Sequence, residues 1–229
     1  MQLKYDISIN LKHEKEIFRF IRLVIFTLVF SWFFLGVPEY IWNMKWYWIM
    51  VFVSPWCAAI PSIVNLIVRK VSVREIVGEH IGWQILTGCG LALACALPIT
   101  CITIATNYNT LPQLWNMSGW KMLRLFFYYL CVIGPSEELI YRVAIMGSLR
   151  EICDRHRWLA PLMANTLFAL AHLLYNDWRV ALFAFVFGLL YTIPAYCWKR
   201  CRFVMLLTFH GMYDFLSTAL PYAYVWMIS

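Results

Sequence analysis

A chain of 229 residues that is 62% hydrophobic, 18% aromatic and only 14% charged is not an ordinary soluble domain, in which about a quarter of the residues carry charge. Its formal net charge of +7 would suggest nucleic acid as a partner for a soluble protein. Here the basic residues stand between apolar segments, where they set membrane topology, and no RNA-reading motif or long basic run occurs, so a nucleic-acid partner is not expected.

The eight cysteines lie mostly in apolar stretches, where cysteine behaves as a small hydrophobe. No CxxC pair suggests a zinc ribbon or thioredoxin-like chemistry. The start of the chain does not read as a cleavable signal peptide. Its polar stretch precedes an apolar segment too long for an h-region, and no A-x-A site follows.

A spanning helix needs about 20 apolar residues. In chain order, seven candidates present themselves, at residues 17–37, 46–68, 81–105, 122–149, 159–175, 178–198 and 203–228. Gly134-Pro135 interrupts the fourth and predicts a kink or a split there. The fifth is short, and the seventh holds Pro221 near its end. The expected fold is an all-α, polytopic transmembrane helical bundle of about seven spans, with six to eight compatible with these breaks. It forms one integral membrane domain over residues 1–229, with the chemistry-bearing motifs in 122–228.

The Lys and Arg residues alternate along this parse. Lys4, Lys12, Lys15, Arg19 and Arg22 precede or open the first span, and only Lys45 follows it. Arg69, Lys70 and Arg74 come next, then Lys121 with Arg124, then Arg150, Arg155 and Arg157. Arg179 stands alone, Lys199, Arg200 and Arg202 form the last basic loop, and the tail has none. This pattern predicts a multi-pass cell-membrane protein with its N-terminus in the cytoplasm and its C-terminus outside.

Charged groups at bilayer depth cost roughly 2.5–3.5 kcal/mol each on insertion scales, so a chain keeps them paired or in use. Glu137, Glu138 and Arg142 lie in the fourth segment, His172 in the fifth, and His210 with Asp214 in the seventh. Glu138 and Arg142 are i,i+4 and can pair on one helix face. Glu137 then points about 100° away. Asn165, Phe168 and His172 share a stripe, and His210 and Asp214 are again i,i+4. Lipid cannot satisfy such stripes, so they are expected to converge.

These residue types can activate a water, with a carboxylate in apolar surroundings as general base and a histidine as partner. Alternatively Glu137, His172 and His210 could hold a divalent metal such as zinc with one open position. Both lead to hydrolysis, most naturally of an amide. The same groups could instead knit helices together, or form a proton relay or transport path, although no inverted repeat favours transport.

The order Glu-Glu-x-x-x-Arg, Phe-x-x-x-His, His-x-x-x-Asn/Asp on successive apolar helices resembles the CAAX protease and bacteriocin-processing (Abi) family of intramembrane endopeptidases, which are related to the CAAX prenyl endopeptidase. The matching residues are Glu137, Glu138 and Arg142, then Phe168 and His172, then His210 and Asp214.

The resemblance implies roles for them. Glu137 would be the general base that activates water, and His172 would hold that water with it. Glu138 would be locked by Arg142. His210 and the residue at 214 would stabilise the oxyanion. The family often has Asn at that last place. An ionised Asp214 cannot donate to an oxyanion, so here it would keep His210 protonated and oriented. The implied substrate is a hydrophobic, prenylated or leader peptide, cleaved in leader or signalling-peptide processing or in bacteriocin self-immunity, with membrane lipids as surroundings. Glu137, His172 and His210 are expected to share one cavity.

Overall fold

A computed structural model describes residues 2–36, 47–107, 118–153, 156–174 and 176–228. Among the described residues there are helices and no strand. In order they are α1 (Gln2–Ser31), continued by a π-helical turn at Trp32–Gly36, α2 (Tyr47–Val68), α3 (Val73–Val77), α4 (Ile81–Asn107) and α5 (Gly119–Tyr128). A π turn (Tyr129–Ile133), α6 (Gly134–Glu138), a second π turn (Leu139–Ile145) and α7 (Met146–Ile152) follow without a break. The chain ends with α8 (Leu159–His172), α9 (Trp178–Cys197) and α10 (Phe203–Ile228).

Among the described residues, five stretches are long and apolar enough to cross a membrane: His13–Phe34, Val51–Val68, Ile81–Thr106, Trp178–Cys197 and Phe203–Met227. The protein is a helical membrane bundle. The fifth expected span is the shorter apolar helix Leu159–His172. The expected boundaries at 37, 46 and 175 lie outside the described residues. The fourth expected span is a succession of short α and π segments, and the boundary between the two compact units described below falls within it, after Pro135. Pro135 has no N–H to donate, and its ring crowds the carbonyl four residues back, which here belongs to the wider turn of the π helix before it. Such π turns are often found at functional positions.

The helices form two compact units. One holds Met1–Ser72 and Ser136–Trp198, the other Val73–Pro135 and Lys199–Ser229. In the first, α1 packs on α2, and α8 on α9. The buried stripe of α1 is Leu23, Thr27 and Ser31, and that of α2 is Ser54, Ala58, Ser62 and Asn65. Such small residues let helix backbones approach closely where lipid supplies no hydrophobic drive to pack.

In the second unit α4 packs along α10 through Gln84, Ala92, Ala96 and Thr100, all buried and all at multiples of four. Gln84 is fully buried and uses both ends of its amide. Its nitrogen donates to Val77 O at 2.9 Å and Glu79 O at 2.8 Å, and its oxygen accepts from Met205 N at 3.2 Å. Met205 lies in the first turn of α10, where backbone N–H groups have no partner within the helix. Leu86, Leu93 and Leu97 of α4 are exposed, as suits a lipid-facing side.

Candidate active site

The residues singled out above divide between the two units. Glu137, Glu138, Arg142, Asn165, Phe168 and His172 belong to the first, and His210 and Asp214 to the second.

In the first unit, the short helix α6 delivers Glu137 and Glu138 between the two π turns. Glu138 is fully buried, and its Oε1 meets Arg142 Nη1 at 3.4 Å, with side-chain exposures of 0% and 1%. Two charges so far from water are stable only together. Removing one partner of a buried pair costs about 3–5 kcal/mol because the other is left uncompensated. Arg142 also donates through Nη2 to Gly188 O at 3.2 Å. Its guanidinium lies over the Phe168 ring at 4.3 Å and near that of Tyr191 at 5.6 Å, a cation–π arrangement that strengthens when water is excluded.

Gly188 is where three side chains meet. Thr192 Oγ1 donates to its carbonyl at 2.7 Å and lies 3.5 Å from Asn165 Oδ1. Asn165 Nδ2 donates to Phe185 O at 2.8 Å. A methyl on Gly188 would run into Asn165 Oδ1 and come within 3.0 Å of Phe168 and 3.2 Å of Arg142 Nη2. Only glycine lets α9 come this close to α8 and the Arg142 turn. Asn165 thus fastens α8 to α9, and Arg142 fastens the π turn to the same place.

Phe168 connects this anchor to His172. Its ring meets His172 edge-to-face at 4.7 Å and Tyr141 at 5.1 Å. His172 Nδ1 lies 2.9 Å from Phe168 O. A carbonyl oxygen can only accept, so Nδ1 carries the proton in this bond. In the neutral ring Nε2 is then the acceptor, the form a base or water-holding group needs. His172 and Glu137 are both half-buried. Glu137 acts electrostatically on Tyr141, four residues along the same helical stretch. Two adjacent stripes therefore leave α6: Glu138 to Arg142, and Glu137 to Tyr141.

In the second unit, His210 Nε2 lies 3.5 Å from Asp214 Oδ2 on α10. His210 is 4% exposed, and the Asp214 side chain is 25% exposed. Asp214 acts electrostatically on Tyr129 and Tyr213. The residue after His210, Gly211, lies against the first π turn. A Cβ there would come 2.6 Å from Tyr129 O and 2.9 Å from Leu130 Cα. Backbone touches backbone at this crossing, so the register of His210 is fixed by main-chain contact.

Among the described residues, no three His, Cys, Asp or Glu side chains gather closely enough to hold a metal ion. The zinc set considered above divides between the units, with Glu137 and His172 in the first and His210 in the second. Glu138 is committed to Arg142, and His172 Nδ1 to Phe168 O. The metal reading draws no support from this geometry.

Sequence reasoning passed over Tyr141, Gly188, Tyr191 and Thr192. All but Tyr141 lie on α9, which carries no charge between Arg179 and its end. The available signal was Gly188 and Thr192 at i,i+4 with Tyr191 beside them, a weakly polar stripe in an otherwise apolar helix.

No curated protein and no solved structure matches the chain. A family model does match, that of the type II CAAX prenyl endopeptidase Rce1-like family, over residues 119–216. That span contains all three motifs, from Glu137 to Asp214, with both π turns. The segment of the chain that carries the ionisable residues is therefore similar to the Rce1-like family of CAAX prenyl endopeptidases.

Proposed function

We propose that this protein is an intramembrane endopeptidase that hydrolyses a peptide bond in a hydrophobic or membrane-associated peptide. The observation that carries the reading is the unequal treatment of the two adjacent glutamates. Glu138 is immobilised by Arg142 at 3.4 Å and fully buried. Glu137 is half-buried, and the same unit holds a half-buried histidine oriented by Phe168 O. A structural clasp needs the first carboxylate and not the second.

In the proposed reaction Glu137 takes a proton from water, with His172 Nε2 accepting the other water hydrogen bond. The hydroxide oxygen bonds to the scissile carbonyl carbon, and the carbonyl π electrons move to its oxygen. His210, held cationic by Asp214, donates to that oxyanion. The C–N bond then breaks as Glu137 returns its proton to the leaving amine. One water is consumed, yielding a carboxylate and an amine. General-base removal is worth about 10²–10⁴ in rate, and loss of one oxyanion donor about 10²–10³. For substrate, a prenylated C-terminal peptide suits the family relationship. A leader peptide or a bacteriocin handled in self-immunity is the other peptide class that a membrane-embedded site could receive.

The test is cleavage of fluorogenic prenylated and leader-type peptides by protein reconstituted in liposomes. Glu137→Gln and His172→Ala are expected to lose about 10²–10⁴ of the rate, and His210→Ala about 10²–10³, with unchanged melting profiles. Folded variants that all cleave at the wild-type rate would rule the reading out. If the wild type cleaves neither peptide class, yet all three variants lose stability, the groups are a structural clasp.

A further inference from the structure

In the second unit, two elements cross α10 beside His210, and glycine makes both crossings. Gly88 lies on α4. A Cβ there would come 2.7 Å from Met205 O, 2.9 Å from Thr208 Cβ and 3.1 Å from Phe209 N. Gly134 opens α6 and stands against the same stretch of α10. Its Cβ would come 2.9 Å from Leu207 O and 3.1 Å from Gly211 N. Met205 O, Phe209 N, Leu207 O and Gly211 N are main-chain atoms, which cannot swing aside as a long side chain does.

At about 100° per residue, Met205, Thr208 and Phe209 share one face of α10, Leu207 and Gly211 a second, and His210 projects from a third. The turn that carries the histidine is thus held from two directions. Met205, Thr208 and Phe209 are all buried, so the first face has no slack to take up an added atom. The other glycines of α4 are placed differently. A Cβ on Gly82 or Gly90 would meet nothing within 4 Å.

His210 and Asp214 stand on α10 with Nε2 and Oδ2 3.5 Å apart, so a shift of this turn moves the pair as one body. Opening the Gly88 contact from 2.7 Å to an ordinary separation of 3.4 Å takes about 0.7 Å. A misplacement of about 1 Å caused from a distance can cost about 10²-fold in rate.

We propose that Gly88, with Gly134 on the second face, is a positioning residue of the reaction: by letting a neighbouring helix touch the main chain of α10, each sets where His210 meets the oxyanion. The proposal rests on the reading of His210 as oxyanion donor. Neither glycine touches a reacting atom.

The test is Gly88→Ala in the full chain, reconstituted in liposomes with the fluorogenic peptides. Alanine suits a helix interior better than glycine, which offsets part of the overpacking. The kcat should fall about 10-fold to 10²-fold with KM unchanged, while Gly90→Ala cleaves as the wild type does. A double-mutant cycle separates positioning from general packing. Added to His210→Ala, Gly88→Ala should cost nothing further, because the group it positions is gone. Losses that multiply overturn the proposal, as does a wild-type kcat in Gly88→Ala. A second measurement does not depend on turnover. With histidine labelled at ¹³Cε1, the NMR signal that disappears in His210→Ala should shift in Gly88→Ala and stay in place in Gly90→Ala. An unmoved signal overturns the proposal. If the wild type cleaves no peptide, the proposed activity fails and the His210 signal still decides the positioning. Should Gly88→Ala not fold, Gly134→Ala carries the same two readouts from the second face.

Discussion

The two halves of the candidate set, one in each unit, are braced by different physics. In the first unit, side chains do the bracing. Arg142 reaches Glu138, the Gly188 carbonyl and the face of Phe168, while Asn165 and Thr192 tie α8 to α9. In the second, the ion pair His210–Asp214 sits on one helix, and that helix is held by close main-chain contact at Gly211 and by the small-residue stripe of α4. The first half is a polar network whose members depend on one another. The second is a packing surface that carries one polar pair. A network is damaged by removing any charge from it, whereas a packed surface is damaged by adding atoms.

The largest expected effect tests the network. Arg142→Ala should lower unfolding stability in detergent by about 3–5 kcal/mol, since it strands the buried Glu138 carboxylate. Replacing both partners, Glu138→Met with Arg142→Leu, should recover most of that stability. A double variant as unstable as Arg142→Ala would show that the charge is not what the single variant loses.

Next comes the packed surface. Gly211→Ala brings a Cβ within 2.6 Å of Tyr129 O, a backbone atom that cannot swing aside, and should cost about 1–3 kcal/mol as overpacking does. Gly82→Ala, with nothing within 4 Å of the added carbon, is the control and should melt as the wild type does. Equal melting of the two would break the contrast between the halves.

A smaller change is expected at Thr192→Val, which removes the 3.5 Å contact from Thr192 Oγ1 on α9 to Asn165 Oδ1 on α8. Hydrogen bonds between membrane helices are worth about 0.6 kcal/mol on average and about 1.7 at most, so a thermal shift of that order should appear. The smallest belongs to Asp214→Asn. Its side chain is partly exposed and its pair is long at 3.5 Å, so stability should change by no more than about 1 kcal/mol. A larger loss would mean that the second half is also a network.

Much of this was legible in the sequence because the membrane imposes strong local rules. Apolar runs give the helices, and i,i+4 spacing places Glu138 beside Arg142 and His210 beside Asp214, since both follow from helix geometry alone. The three motifs also located the segment that the family model matches, residues 119–216. Less legible was the fourth segment. Gly134-Pro135 marked the place where the chain passes from one compact unit to the other, but it did not show the π turns on either side of α6. The hydrogen-bond shift that accommodates a proline is a cooperative choice of the whole turn and leaves no composition signal. The Gly188 anchor was not legible either. Its functional atom is a backbone carbonyl, which every residue has.

The sequence by itself determined that the chain lives in a membrane, which segments are helices, and which of those helices carry charged residues. The reason is that in hydrocarbon each backbone group must be satisfied within its own helix, so length and apolarity suffice to specify the element. Only the tertiary structure decided what anchors those helices: Arg142 on the Gly188 carbonyl, and Asn165 beside it on Phe185 O. Those contacts join residues far apart in the chain, and they depend on how closely helices approach, which a single glycine or alanine at the crossing sets and no local pattern records.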